Sequence, residues 1–60
     1  MNEKYFAMTY LFGNFKESKF ICADNDLSNY AKRMWKKHGH CAIIEVYDAD
    51  TNELVTVYHC

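Results

Sequence analysis

Sixty residues with a formal net charge of −1 make one small domain at most, and they exclude the clearly basic surface that holds nucleic acid by bulk electrostatics. Half of the residues are hydrophobic, with five tyrosines, four phenylalanines and one tryptophan, too much apolar surface for a disordered tail. No stretch approaches the roughly 18 apolar residues of a membrane span, and three cysteines form no disulfide framework.

The N-terminus, MNEKYFAMTYLFGNF, lacks the basic start, long apolar run and small-residue cleavage site of a signal peptide. The expectation is therefore a single domain over residues 1–60, a whole small cytoplasmic protein with reduced thiols. A chain of this size buries only about 60% of its unfolded surface, so its own core is thin.

Tyr5 to Phe12 (YFAMTYLF) is dense in apolar residues, with Thr9 its one plainly polar member, and suits a strand buried on both faces. Gly13-Asn14 is a hairpin turn signal, since glycine takes the positive φ that such turns demand. A second strand runs on to about Ala23. Regular pairing puts Phe6, Met8, Tyr10 and Ile21 on one side and Tyr5, Ala7, Leu11, Phe20 and Cys22 on the other.

The segment from Asp24 to Gly39 has a helical period. Leu27, Tyr30, Ala31, Met34 and Trp35 recur at the spacing of one buried face, with His38 a turn further on. Asp24 and Asp26 stand where a carboxylate caps free N–H groups and meets the positive end of the dipole. Lys36, Lys37 and His38 close the helix, and Gly39 is the expected left-handed cap.

Cys41 to Asp48 and Glu53 to Cys60 read as a second hairpin around the loop Ala49-Asp50-Thr51-Asn52, with Asn52 left-handed. Closing on Asp48 and Glu53 pairs Tyr47 with Leu54, Ile43 with Tyr58 and Cys41 with Cys60. Ala42, Ile44, Val46, Val55 and Val57 then lie under the helix, and Cys41, Ile43, Glu45, Tyr47, Leu54, Thr56, Tyr58 and Cys60 face away. The fold class expected is α+β: a small ββαββ domain with a four-stranded antiparallel sheet in the order 2-1-3-4 and one helix packed on one face.

Three constellations could carry function. His38, His40, Cys41, His59 and Cys60 gather zinc-type ligands at one end of the sheet, but their spacing matches no zinc signature, and neighbours along a strand point to opposite faces. Lys32, Arg33, Lys36 and Lys37 form a basic helix face that offers contacts to nucleic acid or an acidic partner, although a solvated outer face looks the same. The third is the sheet face away from the helix. Tyr5, Leu11, Phe20, Ile43, Tyr47, Leu54 and Tyr58 would leave an apolar, tyrosine-rich surface with nothing to cover it.

Cys41 beside His40 gives no nucleophile–base pair on one strand face, and two glycines make no phosphate loop. The expectation is an interaction or regulatory module without catalytic activity or cofactor, a homodimer packed sheet to sheet, with nucleic-acid binding and a zinc site as the alternatives.

Overall fold

The computed structural model describes residues 4–59. The strands are β1 (Tyr5–Leu11), β2 (Asn14–Ile21), β3 (Ala42–Asp48) and β4 (Leu54–Tyr58), and the helix α1 (Asp24–His38) lies between β2 and β3. All neighbours pair antiparallel, in the order β2-β1-β3-β4, so this is the ββαββ sheet with one helix that the residue pattern predicts.

The helix and the sheet meet through small side chains. Ala31 of α1, with Ala7 and Thr9 of β1 and Ala42 of β3, is fully buried, which lets the two layers come close. Larger side chains fill the space around them: Tyr5, Ile21, Leu27, Tyr30, Met34, Ile44 and Val46 form the core, with Trp35 and Tyr58 packed against its edge. Thr9 is the one buried polar residue among those described, and its hydroxyl donates to the Tyr30 hydroxyl at 3.3 Å. A buried hydroxyl without such a bond costs free energy.

The helix begins at Asp24, but its N-cap is Ala23, which offers no side-chain acceptor. Asp24 and Asp26 therefore act through the helix dipole rather than as caps. At the other end the Gly39 amide donates to the Trp35 carbonyl at 2.9 Å. Gly39 adopts φ 111°, ψ 165°, an extended conformation with positive φ rather than the left-handed helical one, and only glycine takes it easily. The Trp35 indole N–H donates to the Ala42 carbonyl at 2.9 Å and ties the last helical turn to the start of β3.

Both hairpins contain a bulge, and each corrects the face assignment. The first turn is Phe12-Gly13, not Gly13-Asn14; both residues have positive φ, at 52° and 82°, as a type I′ turn requires. Leu11 pairs with Asn14 and Tyr10 with Phe15, but Thr9 then pairs with Glu17, so Lys16 is an extra residue in β2. One extra residue moves every later side chain to the opposite face. Ile21 thus lies beside Tyr5 under the helix, and Phe20 lies beside Phe6 on the open side.

The second hairpin closes as the residues imply. The Asp48 amide donates to Glu53 and the Asn52 amide to Asp48, Asn52 has φ 62°, and Tyr47 pairs with Leu54. Val55 is then the extra residue, so Tyr58 pairs with Ile44 rather than Ile43. Thr56 and Tyr58 turn toward the helix, and Val57 turns away from it beside Glu45. β1 is also buried on one face only: Tyr5, Ala7 and Thr9 are buried, while Phe6 is exposed and Met8 and Tyr10 half-buried.

The buried Met34 and the exposed Lys36 are two residues apart in the last helical turns and separate core from surface. Met34→Ala should lower unfolding stability by about 2–5 kcal/mol, and Lys36→Ala should change it by no more than about 0.5 kcal/mol. Equal denaturant midpoints for the two variants would contradict this packing.

Candidate functional site

The surface built by these two bulges is the helix-free side of the sheet. Three rows of side chains cross it. Phe15, Tyr10 and Ile43 form the first, Ser18, Met8, Glu45 and Val57 the second, and Phe20, Phe6, Tyr47 and Leu54 the third. Phe6, Phe15, Phe20, Ile43, Leu54 and Val57 are each between 37 and 55% exposed.

Within the face the rings are ordered by edge contacts. Phe6 and Phe20 meet at 5.0 Å between centroids and 78°, and Tyr10 and Phe15 at 5.7 Å and 68°. The Tyr10 hydroxyl points along the strand to the Met8 sulfur at 3.8 Å. Such aromatic pairs favour edge-to-face geometry and hold their rings without help from a third layer.

One carboxylate interrupts the apolar rows. Glu45 lies in the middle row, and its Oε1 accepts the Tyr47 hydroxyl at 2.8 Å. That bond, with burial and the adjacent negative charge, raises the Tyr47 phenol above its ordinary pKa, so the phenol remains a donor.

Of the residues expected on this face, Phe20, Ile43, Tyr47 and Leu54 are there. Tyr5 and Tyr58 are not. Tyr5 is buried beneath α1, Tyr58 packs at the core's edge, and Leu11 alternates with Tyr10 onto the helix side. Phe6, Met8, Tyr10, Phe15 and Val57 take their place. The overlooked signal is spacing: Phe15 and Phe20 are five residues apart, and Leu54 and Val57 three, an odd separation that only a bulge reconciles with one shared face.

The basic helix residues Lys32, Arg33, Lys36 and Lys37 are all exposed. Lys37 is engaged: its ammonium and the His38 Nε2–H both donate to Glu17 Oε2, at 3.0 and 2.7 Å. Arg33 lines a cleft of about 260 Å³ between α1 and the end of β2, with Lys19, Asp26, Asn29 and Tyr30. Lys32 and Lys36 flank a shallower one beside Trp35, Gly39 and His40.

The zinc-type residues do not converge. His38 is held by Glu17, and His40 and Cys41 occupy the turn before β3. Among the described residues no three His, Cys, Asp or Glu side chains come together as metal ligands. Cys60, and with it the Cys41–Cys60 pairing, lies outside the described residues, while Cys22 and Cys41 are exposed free thiols.

Compared with known proteins, the chain matches no family model, no curated protein and no solved structure. Among the described residues no helix is long and apolar enough to cross a membrane.

The hydrogen bonds from His38 and then Lys37 hold the Glu17 carboxyl below its ordinary pKa of 4.5, against a smaller opposing effect of burial. A folded value below the unfolded one stabilises the protein fully above that ordinary pKa, and the contribution is lost as the pH falls through the depressed folded value. Glu17→Gln should therefore lower the thermal midpoint at neutral pH. Its gap from the unmodified protein should close as the solution is titrated to below the carboxylate range; a gap independent of pH would contradict this role.

Proposed function

We propose that this is a cytoplasmic interaction module that works by association rather than catalysis, and that its open sheet face docks a second copy of the same chain. The observation that carries the reading is the set of exposed apolar side chains from Phe15 and Phe20 across Phe6 and Ile43 to Leu54 and Val57, interrupted in the middle row by Ser18 and Glu45. Monomers rarely leave contiguous apolar patches larger than a few hundred Å² bare.

The size of the face fits a second copy. Four strands about 4.8 Å apart and about seven residues long make a surface of roughly 20 by 24 Å. That plane is about 480 Å² before side-chain relief is added, more than half of the contact of about 800 Å² per partner in a standard interface. The aromatic residues on it lose little rotamer freedom when an interface fixes them. A chain with a thin core of its own also gains stability by mass action when its subunits associate. The exposed thiols of Cys22 and Cys41 fit a reducing compartment.

Sedimentation equilibrium at micromolar concentration tests the proposal. The unmodified chain should run as a dimer, and Ile43→Asp or Phe20→Asp should give a folded monomer of lower stability. A monomeric unmodified chain would overturn the homodimer and leave the face to a different protein.

Glu45 supplies an independent check. A carboxylate enclosed between two apolar sheets loses hydration that one phenol does not replace. Glu45→Gln should tighten the dimer, read as a lower dissociation constant by sedimentation. A weaker dimer would mean that the carboxylate is matched by a donor on the other copy.

A further inference from the structure

The outer side of α1 carries a stripe that the open sheet face does not share. Lys32, Trp35, Lys36 and Gly39 stand at i, i+3, i+4 and i+7, so they are neighbours along one side of the helix and its cap. With His40 they line a shallow groove of about 540 Å³. Part of the half-buried Trp35 packs against the edge of the core, and its indole N–H is fixed on the Ala42 carbonyl. The ring is therefore held in place where it lines the groove.

The charge around this ring has one sign. Lys32 and Lys36 are exposed, and among the described residues neither pairs with a carboxylate. No acidic side chain among the described residues lines the groove. Asp24 and Asp26, the carboxylates of α1 itself, lie in its first turn. Asp26, the nearer, precedes Lys32 by about 9 Å along the axis. Glu17 is taken up by Lys37 and His38.

A fixed aromatic ring between two unpaired ammonium groups suits a ligand that joins an aromatic ring to anions. Pockets for free small molecules cover about 70–90% of the ligand's surface, which a shallow groove does not. It does admit one base of a continuous strand. Bases inside a duplex are stacked on both sides and present no free ring face.

We infer that the Trp35 groove binds single-stranded nucleic acid, with one base stacked on the indole and the flanking phosphates held by Lys32 and Lys36. Aromatic platforms beside cations bind single strands in this way, with little regard to sequence. The negative end of the helix dipole lies at Gly39, which keeps the phosphates over the lysines rather than beyond the cap. A net charge of −1 adds no long-range attraction, so the affinity comes from this local contact. The groove is on the helix side of the sheet, and the binding does not depend on the homodimer proposed above.

Trp35 is the chain's single tryptophan, so its fluorescence reports stacking directly. An oligothymidylate of about ten nucleotides, added at about 20 mM salt, should quench that emission to saturation. Two phosphate contacts on a single strand should weaken binding by about 25-fold between about 20 and about 200 mM salt. Lys32→Gln combined with Lys36→Gln should lower the low-salt affinity and remove most of that salt dependence. Trp35→Leu should weaken binding of a labelled oligothymidylate, read by anisotropy, by about 5- to 150-fold, the usual loss for one stacked base. An absence of quenching, or an unchanged affinity in the double lysine variant, would overturn the inference. So would inorganic polyphosphate, a duplex of the same length or thymidine monophosphate binding as tightly as the oligonucleotide.

Discussion

One helix of fifteen residues cannot cover both faces of a four-stranded sheet, and the other properties of this molecule follow from that geometric limit. The covered face is built for close approach: alanines and a threonine lie at the contact and larger side chains surround them. The uncovered face nevertheless keeps phenylalanines, isoleucine, leucine and valine where a solvated sheet would alternate to polar residues. An antiparallel sheet can leave one face wet, so these side chains are not forced on the chain by its architecture.

The helix and the strand order were legible because they depend on period and sequence proximity. Leu27, Tyr30, Ala31 and Met34 specify one buried stripe, and all four are buried. The most apolar strand, β1, lies inside the sheet. Side-chain direction beyond the bulges was not legible in the same way. In β2, Lys16 carries no local mark of a bulge, yet it decides that Ile21 joins the core and Phe20 leaves it. Val55 does the same for Tyr58 and Val57. Turn chemistry sets the pairing next to the turn, and a single extra residue then resets everything beyond it.

The bulges have a second consequence, because both lie on the outer strands β2 and β4. An outer strand exposes unpaired backbone groups to any other strand, and a bulge makes that edge irregular. β2 adds Lys16, Glu17 and Lys19 along its length. The same segment that blunts the edge also receives the end of the helix, since Glu17 holds both Lys37 and His38. Edge protection and helix docking are thus joined at one carboxylate, which the helical period alone does not reveal because Glu17 is distant in sequence.

Glu45 is the one carboxylate among the described rows of the open face. Without it, the rows from Phe20 to Leu54 would adhere to any hydrophobic surface of similar shape. With it, an occupant must either leave the carboxylate a donor or bear the cost of enclosing it. The Tyr47 hydroxyl donates to one carboxylate oxygen and holds the side chain in the middle row of the face. Rings across the face favour an apolar contact and the carboxylate in its middle row opposes one, so in the proposed association the two act in opposite directions.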